Sequence, residues 1–143
     1  MSLNGEPIDD SLRQLFIAES NEQIEKFIEI LLDLEKNPDN QNEVIHKLFR
    51  LAHNIKGAAG MMSLGDLKDI MHQTENMLDA VRKSQTQLDP GKIDLLLQFS
   101  DVVKDYIISE NWNDKGALAS WRGVFVLDSP AEAPVPEDKI DVL

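Results

Sequence analysis

Two histidines and three cations crowd into one stretch that excludes acids. Val44–Gly65 reads VIHKLFRLAHNIKGAAGMMSLG and contains His46, Lys47, Arg50, His53 and Lys56 with no Asp or Glu. The chain has 26 acids in 143 residues, so an average stretch of this length would carry about four. The net charge is −12, against which this segment is a local exception. A stretch cleared of carboxylates suits a site that handles anions, because nearby negative charge would repel the ligand. Imidazole is a nucleophile, a base and a metal ligand near neutral pH. A lysine three residues after His53 can reach the same surface of a helix.

That helix is written in the spacing. Val44, Leu48, Leu51, Ile55 and Ala58 recur at four- and three-residue steps and predict one apolar stripe, on a helix from about Asn42 to Met61. His46, Arg50, His53, Gly57 and Gly60 follow the same steps on another face. A glycine inside a helix costs about 1 kcal/mol relative to alanine. Two of them beside His53 either bare the backbone so that another molecule approaches the imidazole, or let a neighbouring helix pack closely.

The remaining elements must position this one, and they also read as helices. Asp9 or Asp10 can cap a first helix, with Leu12, Leu15, Phe16, Ile24, Phe27, Ile28, Leu31 and Leu32 as its stripe, after a loose lead-in over residues 1–8. Glu19, Glu22, Glu25 and Glu29 form its solvated face, and Asn37-Pro38-Asp39-Asn40 stops it. Ser63-Leu64-Gly65-Asp66 has the form of a capping box opening a third helix. Leu64, Leu67, Ile70, Met71, Thr74, Met77, Leu78 and Val81 face inward there, the methionines as core filler. His72, Glu75, Asp79 and Arg82 follow one side.

Asp89-Pro90 opens a fourth helix with Ile93, Leu96, Leu97, Phe99, Val102, Val103, Tyr106 and Ile107 as its apolar residues. Trp112, Leu118 and Trp121 suggest a short fifth helix between Asp114 and Arg122. Gly123–Leu127 reads as an apolar tail lying on the bundle, since it has no strand partner. From Ser129, SPAEAPVPEDKIDVL has three of the six prolines and no helical period, so it reads as an extended linker. The expectation is an all-α chain: an antiparallel four-helix bundle over 1–128 with a short fifth helix, and an extended C-terminal tail over 129–143.

Composition bounds the function. The acidic balance, with pI near 4.5, argues against nucleic acid or an anionic membrane as partner. The chain has no cysteine, hence no thiol chemistry or disulfides, which fits a reducing cytoplasm. No apolar run reaches membrane-spanning length, and no signal peptide is evident. There is no Gly-rich phosphate loop, no nucleophile elbow and no acidic pair for metal-assisted chemistry, so no site for ATP is visible.

LFRLAHNIKGAAG closely resembles the motif of histidine phosphotransfer (HPt) domains. The downstream HQTENMLDAVR is similar to the matching helix in the N-terminal phosphotransfer domain of CheA-type chemotaxis kinases. The likeness covers about Asp9 to Glu110 and is strongest from Leu48 to Arg82. HxxKG alone is a short pattern; HxxKGxxG followed at family spacing by HxxExxLD is far more specific. The resemblance implies that His53 is phosphorylated, that Lys56 lies beside the phosphoryl group, and that Glu75 bonds the other imidazole nitrogen. His72 matches the supporting histidine, and Gly57 the glycine that clears the approach. Ser63 stands where many relatives have glycine, which affects the helix connection.

Chemically, a carboxylate on one ring N–H would fix the tautomer and steady the charge that develops on phosphorylation. Lys56 would offer a point charge to the phosphoryl oxygens. Gly57 and Gly60 would form a bare docking patch bordered by Arg50, Lys56, Phe49 and Met61. The partners implied are a histidine kinase catalytic domain and CheY- or CheB-like receiver domains. Those domains would supply ATP and Mg, and no cofactor is expected in this chain. The dimerisation, ATP-binding and receptor-coupling domains of such kinases are not in this sequence, so the resemblance implies a phosphoryl-carrying fragment or free-standing module. Two other classes compete. In one, His46, His53, His72 and Glu75 are metal ligands; in the other, the bundle is a passive interaction module.

Overall fold

The computed structural model describes residues 2–3, 6–7, 10–39, 41–84, 87–114 and 116–127. The expected linker over 129–143 lies outside them. Four helices carry the chain: α1 (Asp10–Lys36), α2 (Gln41–Met61), α3 (Gly65–Ser84) and α4 (Pro90–Ser109). Where a loose lead-in was expected, Ser2–Leu3 and Glu6–Pro7 pair as a two-residue antiparallel ladder, Ser2 opposite Pro7 and Leu3 opposite Glu6. It is too short to form a layer, and the class remains an all-α bundle.

Helix α2 packs against α3 and α1, and α1 packs against α4. Side-chain bonds show the antiparallel order. Arg13, near the start of α1, pairs with Glu110 just past the end of α4, and Lys104 reaches Glu25 at 3.0 Å. At the other end the buried Gln41 side chain accepts from the Leu88 amide at 2.7 Å and donates to the Leu88 carbonyl at 3.3 Å. One glutamine thus ties the α1–α2 connection to the residues before α4. It also satisfies backbone groups that burial would otherwise leave unpaired.

The core runs through all four helices: Ile24, Phe27 and Leu31; Leu48, Ala52 and Ile55; Leu67, Met71 and Leu78; Leu96, Phe99 and Val103. Each large side chain contributes about 1.5–3 kcal/mol by leaving water. The stripes sit slightly rotated from expectation. In α2 the buried set is Ile45, Leu48, Ala52, Ile55 and Ala59, while Val44, Leu51 and Ala58 lie half-buried at its edge. Helix α2 has neighbours on two sides, so its apolar arc is wider than one stripe. In α1, Leu15 and Leu32 are exposed and Leu34 takes an inner place.

The turn between α2 and α3 also differs from expectation. Ser63 has φ 59°, and α2 closes with Leu64 N–H donating to the Ala59 carbonyl at 2.9 Å and Ser63 N–H to Gly60 at 3.1 Å. This is a Schellman ending with serine in the left-handed position that glycine usually holds. An N-cap needs an extended conformation, so Ser63 ends α2 instead of capping α3. Asp89 does cap α4 as expected, accepting from the Lys92 amide at 2.8 Å ahead of Pro90.

The expected fifth helix over Asp114–Arg122 is reduced to a 3₁₀ turn at Ala119–Trp121. A one-turn helix, α5 (Val124–Leu127), follows. Gly123, at φ 85°, breaks the two apart. The segment lies on the bundle as expected, held by separate aromatic anchors. Phe125 meets Phe99 at 4.9 Å, Trp121 meets Phe99 at 5.5 Å, and Trp112 meets Phe16 edge-on at 5.4 Å.

Candidate functional site

Ala52 and Ile55 on α2 are completely buried, which turns His53 between them to the outside. Its side chain is 58% exposed. The facing helix α3 buries Thr74, Met77 and Leu78, and with them the carboxylate of Glu75. The two meet directly: His53 Nδ1 lies 2.5 Å from Glu75 Oε2. Lys56, three residues on in α2, donates from Nζ to Glu75 Oε1 at 2.6 Å. One buried carboxylate therefore joins the histidine and the lysine.

Burial pushes the Glu75 carboxyl up, but the hydrogen bonds from Lys56 and His53, with their charges, outweigh it. The net effect holds the group below the usual glutamate value of 4.5. At neutral pH Glu75 is thus ionised and can only accept. The proton it accepts must sit on Nδ1 of His53. A neutral ring then keeps its lone pair on Nε2, at the exposed edge. The chemistry available is nucleophilic attack by Nε2, with a carboxylate ready to stabilise positive charge on the ring.

Two glycines follow His53 on α2. Gly57 and Gly60 are both exposed. A Cβ added at Gly57 would meet nothing within 4 Å, and one at Gly60 only the Lys68 side chain, at 3.6 Å. Close helix packing therefore accounts for neither glycine, and their effect is to leave bare backbone beside His53. Met61 is 65% exposed, and Phe49 is half-buried one turn before His53. Arg50 is exposed but turned back, its guanidinium donating to His46 Nε2 at 3.1 Å.

His72 is not drawn into the cluster. It is exposed, one turn before Glu75, and makes no hydrogen bond among the described residues. Lys56 is bonded to Glu75. No three His, Asp or Glu side chains among the described residues gather as a metal site would require. Among those residues, too, no helix is long and apolar enough to cross a membrane.

Sequence reasoning passed over one member of the neighbourhood. The Arg82 guanidinium lies over the Phe49 ring, 5.3 Å from its centroid, while pairing with Asp79. The signal was present, since Glu75, Asp79 and Arg82 share one face of α3.

Comparison with known proteins adds the family. The family profile described as "Hpt domain" matches residues 11–107. The chemotaxis protein CheA of Salmonella typhimurium (strain LT2) is 35% identical over 110 residues, which is 76% of this chain and 16% of that protein. CheA of Bacillus subtilis (strain 168) is 35% identical over 95 residues, 66% of this chain and 14% of the relative. CheA of Treponema pallidum (strain Nichols) is 31% identical over 96 residues, 67% of this chain and 12% of the relative. The matched region is thus a small fraction of each of these relatives' length.

Proposed function

The chain belongs to the Hpt domain family, and on that premise we propose that it is the phosphoryl-carrying module of a chemotaxis-type two-component system. The observation that carries this reading is the His53–Glu75 pair: Nδ1 is tied to a buried carboxylate and Nε2 is left at an exposed edge. In the forward step the Nε2 lone pair attacks the γ-phosphorus of ATP held by a kinase catalytic domain. An N–P bond forms, the bond from that phosphorus to the bridging oxygen breaks, and ADP leaves. The Nδ1 proton stays on the ring, bonded to Glu75, which offsets the positive charge on the imidazolium-like product. In the second step an aspartate oxygen of a receiver domain, of the CheY or CheB kind, attacks phosphorus. The P–N bond breaks, and its electron pair returns to Nε2.

Phosphoryl transfer asks the protein for positioning and charge stabilisation. Glu75 positions the ring, Lys56 holds the other oxygen of that carboxylate and brings positive charge to the site, and Gly57 and Gly60 admit the partner. ATP and Mg come with the partner domains, and such a relay would operate in the cytoplasm. The test is incubation with a CheA-type kinase core, Mg and ATP, followed by phosphosite mapping and a chase with a receiver domain. The expected label sits on His53, is absent from His53→Gln, and moves to the receiver. A folded chain that takes no label, or takes it elsewhere, overturns the reading.

A further inference from the structure

Glu75 restrains only one edge of the imidazole. Hydrogen bonds tolerate a broad spread of angles, and the outer torsion of a histidine has broad wells. An exposed ring held by that bond alone would sweep its far nitrogen through a range of directions. The structure supplies a second restraint. The Phe49 ring lies nearly parallel to His53, with an interplanar angle of 11° and centroids 6.4 Å apart. The two are one helical turn apart on α2, so they share a face. Phe49 is itself held from the neighbouring helix by Arg82, which is anchored by Asp79. Both distances fall within the ranges at which aromatic pairs and cation–π contacts act.

We propose that Phe49 is a positioning residue that sets the plane of the His53 imidazole, and that Arg82, fixed by Asp79, holds Phe49 in place from α3. The proposal rests on His53 being the phosphoryl acceptor. It adds that the direction of the Nε2 lone pair depends on α3 twice, through Glu75 at the ring edge and through Arg82 and Phe49 at the ring face. Small angular errors at a nucleophile cost rate steeply. Loosening the ring should therefore slow attack even on a donor too small to touch a docking surface.

The test is made on the unphosphorylated full chain, by carbon relaxation at the His53 Cε1–H and by ring-nitrogen shifts. Expected values for the unmodified chain are those of a rigid site, with an order parameter of about 0.85. Phe49→Leu keeps an apolar side chain but removes the flat face, and should drop the His53 value below about 0.6. Phe49→Tyr should restore it, and Arg82→Met should give an intermediate value. With phosphoramidate as donor, the phosphorylation rate should fall on the order of tenfold in Phe49→Leu and recover in Phe49→Tyr. Unchanged ring order in a folded Phe49→Leu overturns the proposal. If Phe49→Leu does not fold, Arg82→Met decides alone, since it lies outside the core; unchanged ring order there overturns the proposal. The relaxation measurement needs no phosphotransfer, so it decides the positioning role even if the chain proves to carry no phosphoryl group.

Discussion

Lys56 Nζ lies 2.6 Å from one oxygen of Glu75, and His53 Nδ1 lies 2.5 Å from the other. The lysine and the histidine thus share a single carboxylate that is only 7% exposed. In the resting protein Lys56 serves the carboxylate. Any attraction it offers to phosphoryl oxygens competes with that bond, so the three side chains act as one unit.

Glu75→Gln tests the unit at its centre. Glutamine can still accept from Nδ1, but it neither holds Lys56 as an ion pair nor offsets charge on the ring. The expected outcome is a folded protein, less stable by about 1–2 kcal/mol, whose phosphorylation slows on the order of tenfold or more. The checks are a denaturant melt and initial rates with a CheA-type kinase core. A rate equal to that of the unmodified chain would remove Glu75 from the mechanism.

The depressed Glu75 value predicts a pH dependence. A carboxyl whose folded pKa lies below its unfolded value stabilises the protein above the unfolded value, near 4.5. That contribution disappears as pH falls through the lower folded value. The stabilities of the unmodified chain and of Glu75→Gln should therefore differ most at neutral pH and converge only once the pH has fallen below the depressed folded value. Lys56→Met removes the foremost of the contacts that oppose burial. The Glu75 carboxyl midpoint, followed by carbon NMR, should then move up. Identical midpoints would mean that Lys56 does not control this group.

Gly57→Gln separates docking from folding. The position is helical and has open space where a side chain would go. Glutamine is the better helix former, so stability should rise by about 0.5–1 kcal/mol. The longer side chain should keep a partner's reacting atoms from closing on Nε2, and transfer to a receiver should be lost. Normal transfer by the stabilised variant, or by the folded fraction of a destabilised one, would show that Gly57 does not clear the approach.

Ser63→Gly concerns the α2–α3 connection alone. Ser63 sits at φ 59°, where a side chain is strained and glycine is not. Glycine should raise stability by about 0.5–1 kcal/mol, less whatever the freer unfolded chain takes back. Phosphotransfer should not change. A fall in melting temperature would mean that the serine side chain has a role the turn geometry does not reveal.

Much of this protein is readable along the chain because it depends on neighbours within one helix. The helical period, the Asp89-Pro90 start of α4 and the shared face of His53, Gly57 and Gly60 are such features. So is the acid-free stretch, since charge composition needs no coordinates. The sequence misled where an element has more than one neighbour or where a residue could serve either of two elements. The buried arc of α2 is rotated because α1 and α3 both press on it, and Ser63 ends one helix where it was expected to start the next.

Sequence alone determined that this is a helical chain with a cleared, histidine-bearing face, since both follow from residue type and period. The family resemblance, and not period or composition, marked Glu75 as a candidate partner for that face. Only the tertiary structure decided that Glu75 is buried against His53, that Lys56 shares its carboxylate, that His72 stands outside, and that Arg82 lies over Phe49. Those outcomes depend on how α3 is rotated and shifted against α2. That fit is set by interdigitating side chains on both helices, a property of the pair that neither helix encodes by itself.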